Sequence, residues 1–460
     1  MLGIRTTLAA AAISLLLGSA TAAAAAPYEG PVQPGPPLGI PAIPEFDPFY
    51  RPPAEDIVSR QPGEIIAARA VTVANFSLLP VNVDAWQVSY RSNNSYDQPI
   101  AAVATVLKPR GTVAPGTRNL LSYQVAENAT GQYCASSYQL QQWSIPGMIT
   151  GQSVTGPAFL EAQVALQQGW AVAIPDHEGP DAAFGHGPLG GRITLDGIRA
   201  AENFAPLGLD TTTKVGLMGY SAGSIPTMHA AEMAPNYAPE LNIVGVASGG
   251  TDADLGALVN LGNNNATAGV VLAGIIGLAH EEPEFRTFLR TKGTPLAQTL
   301  LDAKDRLCVN YQAATFPFLN IKGLIDVPGD PLQAPEAAYV LDRTRMGKVT
   351  PTMPVYLYQA NMDWVAPVGP VNTLVDTYCR DPRAQITYTR DHFSEHLTLE
   401  AAAVPSVMLW LRDRFAGVPA EPGCTTNDVG SIALDQRTWP IWADIVGDTI
   451  AGVFGGPIGN

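Results

Sequence analysis

Positive charge is scarce in this 460-residue chain. Lys and Arg number 26 against 41 Asp and Glu, a formal net charge of −15. A surface of that sign repels phosphate, which disfavours DNA, RNA and anionic membranes as partners. Histidine is sparse too, at six residues, and neither an H-E-x-x-H nor another matched histidine pair occurs. Cysteine is limited to Cys134, Cys308, Cys379 and Cys424, widely spaced and without a C-x-x-C. No zinc cluster is expected from such spacings, and the residues call for no metal and no cofactor. Beyond the first 26 residues no charge-free apolar run is long enough to span a bilayer, which takes about 20 residues. The stretch Val270–Leu278 is too short, so no transmembrane anchor is expected in the mature chain. Charged residues make up 15% and hydrophobic ones 46%, which excludes a disordered chain and allows a large core. No internal repeat is visible.

The amino terminus reads as an export signal. Arg5 precedes an apolar stretch from Leu8 to Leu17, and small residues run on to Ala26. That order fits a signal peptide over 1–26, cleaved near Ala23–Ala26. The chain is therefore expected to be secreted and extracellular, with the cell envelope as an alternative final location. Export permits disulfides, and four cysteines allow three connectivities, of which Cys379 with Cys424 closes the shorter loop. Asn75-Phe76-Ser77 and Asn265-Ala266-Thr267 match glycosylation acceptors, a pattern that arises easily by chance.

Residues 27–55 are proline-rich and aperiodic, an extended arm or a disordered lead-in. Beyond them short apolar strands alternate with helical stretches. NLLSYQV (119–125), WAVAI (170–174), KVGLM (214–218), IVGVA (243–247), PVYLYQ (354–359) and 385–388 read as strands. Helices are expected near 159–168, 194–203, 225–233, 371–378 and 397–415. Alternation of this kind predicts an α/β fold with a mostly parallel central sheet covered on both faces. The stretch 252–346 breaks the rhythm with mainly helical patterns, and reads as a helical cap inserted into a core of 56–251 and 347–460.

Gly219-Tyr220-Ser221-Ala222-Gly223 is the chain's single G-x-S-x-G. With 44 glycines a chance match is expected about 0.2 times per chain, so context must decide. A strand precedes it, and a helix with Pro226 in its first turn follows, as a nucleophile elbow of the α/β-hydrolase fold requires. Ser221 then stands clear of the sheet, and the helix N-terminus favours negative charge developing beside it. Serine needs a base. In this fold the acid and then the histidine follow the serine, which leaves His392 and His396; His396, just before the last long helix, is preferred. His229, inside the helix after the serine, reads as structural. The acid should follow an intermediate strand, and Asp363 does so; Asp376 sits in a helix and Asp381 beside Pro382 in a turn. One oxyanion donor should be the N–H of Ala222, and the second should come from the loop 126–130, which has no HGGG run. Asp176-His177-Glu178-Gly179 follows a strand at the same edge and reads as support for the site.

These pieces resemble the secretory lipase family. The matching runs are Tyr123–Thr130, DHEG at 176–179, LDGIRA at 195–200, GYSAG at 219–223, YAPELNIVGVASGGT at 237–251 and SEHLT at 394–398. The resemblance implies an α/β-hydrolase with catalytic Ser221, Asp363 and His396, and with oxyanion donors at Ala222 and Asn128. It also implies disulfides Cys134–Cys308 and Cys379–Cys424, and a helical cap matching 252–346. Its implied activity is triacylglycerol hydrolysis through an acyl-enzyme, on an ester or acylglycerol at a lipid–water interface. A short-chain esterase, an acyltransferase and a non-catalytic lipid-binding protein are the alternatives. Asn128 and Ala222 depart from the aspartate and glycine of the lipase A type. In that family a C-terminal β flap can cover the acyl tunnel, whereas here the residues after 425 are glycine-rich.

Overall fold

The structure, a computed structural model, describes residues 27–36, 39–111, 113–114 and 116–459. The expected signal peptide, 1–26, lies outside the described residues. Eleven strands form one sheet: β1 (Val32–Gln33), β2 (Ile65–Ala70), β3 (Val83–Asn93), β4 (Pro99–Pro109), β5 (Leu120–Gln124), β6 (Ala171–Pro175), β7 (Val215–Tyr220), β8 (Ile243–Gly249), β9 (Val355–Ala360), β10 (Gln385–Asp391) and β11 (Gly423–Val429). Their spatial order is β1-β2-β3-β4-β6-β5-β7-β8-β9-β10-β11. From β6 to β11 every pairing is parallel, while β2, β3, β4 and β6 pair antiparallel. This is the α/β-hydrolase fold, a mostly parallel sheet with helices on both faces.

Apolar side chains on both faces explain the continuous strand patterns. β5, β6, β7 and β9 are buried at every position, as strands covered on both sides must be. On one face the helices Gly187–Glu202 and Ser224–Tyr237 bury Ile193, Ile198 and Met228 with Leu217 of β7. On the other, Thr155–Gln167 and His396–Phe415 bury Phe159, Leu166, Val407 and Leu411 against Met218. Burying each such side chain contributes roughly 1.5–3 kcal/mol.

Each expected strand and helix is present, though 119–125 shortens to Leu120–Gln124, 170–174 shifts by one to Ala171–Pro175, and others such as 385–388 lengthen. Three features were not anticipated. The antiparallel strands β2–β4 carry small and polar residues among the apolar ones, which masks their periodicity. The proline-rich arm places Val32–Gln33 as a parallel edge strand on β2. The C-terminal segment forms edge strand β11 and the helix Trp439–Val453; among the described residues after 429 there is no strand. Between β8 and β9 lie the helices Leu255–Gly262, Ala268–Glu281, Pro283–Lys292, Pro295–Ala303, Val309–Ala314 and Pro335–Arg343, with their own apolar cluster. Cys134 is bonded to Cys308 and Cys379 to Cys424. Asn75 is fully buried and accepts from Gln163, so it is closed to glycosylation as folded. No helix among the described residues is long and apolar enough to cross a membrane.

Candidate active site

Parallel strands deliver their C-terminal ends to one edge, and the site residues come from that edge. Ser221 follows β7 directly, at φ +52°, and the helix Ser224–Tyr237 begins three residues later. A left-handed backbone at a non-glycine residue costs of order 1–3 kcal/mol and persists only where its surroundings enforce it. The flanking glycines allow it. A Cβ at Gly219 would lie 2.3 Å from the Gly223 carbonyl oxygen, and one at Gly223 only 2.0 Å from that of Gln124. The turn therefore presses against β5 and lifts the Ser221 hydroxyl out of the sheet.

His396 and Asp363 meet that hydroxyl. Ser221 Oγ is 2.8 Å from His396 Nε2, and His396 Nδ1 is 2.8 Å from Asp363 Oδ2. The Asp363 carboxyl is fully buried and the imidazole nearly so. Asp363 sits in the turn after β9, where Oδ1 accepts from the N–H groups of Val365 (2.9 Å) and Ala366 (2.7 Å). Gln359 Nε2 donates to Oδ2 at 3.1 Å. His396 is the first residue of its helix, behind a capping box of Glu395 and Thr398. Tyr220 donates its hydroxyl to the His396 carbonyl at 2.5 Å. Asp391 folds the preceding loop by accepting from Phe393 and Ser394, and holds Ile432 as well. Burial pulls the imidazole pKa down, but the Asp363 hydrogen bond and the charges of Asp363, Asp252 and Glu400 outweigh it, leaving it above the ordinary histidine value.

The loop 126–130 faces the serine from β5. Asn128 has φ +50° and lines the same cavity as Ser221. The residues of the DHEG run hold this loop from behind. His177 Nε2 donates to the Val125 carbonyl (2.7 Å), and Glu178 accepts from the Ala129 N–H (3.4 Å). Asp176 accepts from the Ser137 N–H at 2.8 Å and from its hydroxyl at 2.5 Å, and Glu127 accepts from the Ser136 N–H at 2.7 Å. Burial pushes Glu127 and Glu178 well up, and Asp176 to about 7, whereas it pulls His177 down to about 4, so the imidazole is neutral. Ala222 lies in the first turn after the serine, where an N–H has no intrahelical acceptor.

The rival residues fall elsewhere. His392 is exposed and contacts Asn361 and Asp428. Asp376 is inside the helix Val368–Tyr378, and Asp381 pairs with Arg383. His229 packs inside its helix near the Thr344 carbonyl. Among the described residues no group of three or more His, Cys, Asp or Glu could hold a metal ion. Two carboxyls beside the site, Asp252 and Glu400, were missed. Neither belongs to a motif; only the fold brings them to the cavity. Burial raises Asp252 to about 7 and also lifts Glu400.

A cavity of about 510 Å³ opens from Ser221 into the helices between β8 and β9. Its walls are mostly apolar, with Phe184, Leu272, Phe285, Phe288, Leu324 and Val340 among them. That size and character suit a small-molecule site with an extended apolar ligand.

A serine, histidine and aspartate joined in this order on this fold are the arrangement of a serine ester hydrolase. Comparison with known proteins narrows the class. The model of the family described as secretory lipase matches residues 153–423. A secreted triacylglycerol lipase of Malassezia globosa is 33% identical, covering 84% of this chain and 85% of that protein. A Mycobacterium tuberculosis protein named a probable inactive lipase is 37% identical, covering 82% and 84%. Among solved structures, Candida antarctica lipase A superposes with a TM-score of 0.80 at 29% identity, covering 91% of this chain and 98% of that one. The chain belongs to the secretory lipase family and is a serine ester hydrolase of the lipase type.

Proposed function

We propose that this protein is a secreted triacylglycerol lipase that works through an acyl-enzyme on Ser221. The observation that carries the reading is the unbroken chain Ser221–His396–Asp363, with two 2.8 Å contacts at the mouth of an apolar cavity. His396 takes the serine proton as Oγ attacks the ester carbonyl. Asp363 holds the imidazole in the tautomer that exposes Nε2 as acceptor, and steadies the imidazolium that forms. The Ala222 N–H and the Asn128 loop receive the oxyanion. His396 then protonates the leaving alcohol and activates the water that frees the acyl group. Residues 252–346 act as a cap whose apolar lining takes the acyl chain and excludes water. Secretion is supported by the export-signal pattern in residues 1–26 and by the likeness to the secreted Malassezia lipase.

The test is turnover of p-nitrophenyl esters from short to long acyl chains, beside a triacylglycerol emulsion, for wild type and Ser221→Ala. Turnover of long chains and emulsion, lost in the variant, is the expected result. Activity on short esters alone would make the protein an esterase. No hydrolysis above the variant would overturn the mechanism and favour an acyltransferase or a lipid-binding protein.

A further inference from the structure

Asp252 follows β8, the strand beside the nucleophile strand. Gly250, at φ +50°, turns the chain so tightly that a Cβ there would stand 3.0 Å from His396 Cε1. Two residues on, Asp252 is 6% exposed and lines the same cavity as Ser221 and His396. Its Oδ1 is buried and has no hydrogen-bond partner. The turn is pinned from two sides. The Asp252 N–H donates to Ser224 Oγ at 3.0 Å, and the Thr251 N–H donates to Gln359 Oε1 at 2.8 Å. Gln359 is also the side chain that donates to Asp363 Oδ2, so one amide spaces the two carboxyl-bearing turns.

We propose that Asp252 is a second carboxylate of the Ser221 centre, a positioning residue that acts through His396 and sets the pH at which that imidazole takes its proton. The inference rests on the reading of Ser221, His396 and Asp363 as the catalytic chain, and deepens it. The contrast between the two acids is one of satisfaction. Asp363 is held by Val365, Ala366, Gln359 and His396, whereas Asp252 Oδ1 has no donor to spread its charge. Burial raises this donor-poor carboxyl to about 7, so above that pH it is ionised and favours a cation nearby, and the cation formed there during catalysis is the imidazolium. The groups that face it are His396 at its helix start and Asp363 from the turn after β9; Glu400, one turn along from His396, acts on the same imidazole. Arg345, from beyond the helix Pro335–Arg343, pairs with Asp254 instead, at 3.6 Å. A change in the charge of either group therefore shifts the titration of the other.

The test is an NMR titration of the His396 imidazole, assigned by its loss in His396→Ala, in wild type, Asp252→Asn and Asp252→Glu. In Asp252→Asn the midpoint is expected to fall by about half to one pH unit, because a negative charge is removed from beside a cation. The acid limb of kcat/KM on p-nitrophenyl butyrate should move down with it, and Asp252→Glu should restore part of the shift. Should Asp252→Asn fail to fold, as its melting curve would reveal, Asp252→Ser replaces it. A folded variant with an unchanged His396 midpoint would overturn this inference alone. Absence of Ser221-dependent hydrolysis in the wild type would overturn the proposed function instead, and the midpoint comparison would still decide the role of Asp252.

Discussion

The two ends of the cavity are built on different principles. At the strand end, polar groups are fixed by short hydrogen bonds: Asp363 by two backbone donors, His396 by a capped helix start, Ser221 by a strained turn. At the helical end, between β8 and β9, apolar side chains pack among themselves and leave space. In the proposed mechanism the first end governs whether a bond breaks and tolerates almost no displacement, while the second governs which chain enters and can be refilled without touching the chemistry.

Substitutions should separate the two ends. Ser221→Ala should remove the nucleophile and lower kcat by about 10⁶, measured on any ester the wild type turns over. Asp363→Asn keeps the shape but favours the wrong imidazole tautomer, and should lower kcat by about 10⁴. Both losses should be the same for short and long acyl chains. Gly274 tests the other end. It lines the cavity inside the helix Ala268–Glu281, and a Cβ there would meet only Phe184, at 3.8 Å. Gly274→Leu should therefore fold, with helix propensity in its favour, and fill the cavity. The ratio of long-chain to short-chain kcat/KM should fall about 10–100-fold. An equal loss on both chain lengths would break the comparison.

pH gives a smaller effect, confined to the strand end. In the proposed mechanism His396 must be neutral to act as a base, and its pKa lies above the ordinary value because Asp363, Asp252 and Glu400 outweigh its burial. The rate should fall as pH drops through that raised value, so the acid limb of kcat/KM should lie above about 6.5. A limb well below that would mean burial dominates the site.

The strand end was legible because its chemistry demands residue types at fixed spacings. G-x-S-x-G needs glycines where a Cβ would strike backbone, and the serine–acid–histidine order follows from the sheet topology. The regular elements were legible for a related reason: strands buried on both faces are continuous apolar runs. What stayed hidden depends on contacts distant in sequence. Asp252 is an ordinary aspartate until the fold brings it to the cavity that His396 lines, and Gln359 bonds both to Asp363, in its own turn, and to Thr251, 108 residues earlier. The arm's pairing with β2 is two residues long and leaves no periodic trace. The volume of the helical end is set by how six helices pack, which no local pattern encodes.

The most direct test of the central claim is labelling with a long-chain alkyl phosphonate, followed by peptide mass spectrometry. The account predicts a single covalent adduct on Ser221, formed as ester hydrolysis is lost and absent in His396→Ala. An adduct elsewhere, or full hydrolysis with Ser221 blocked, would contradict it.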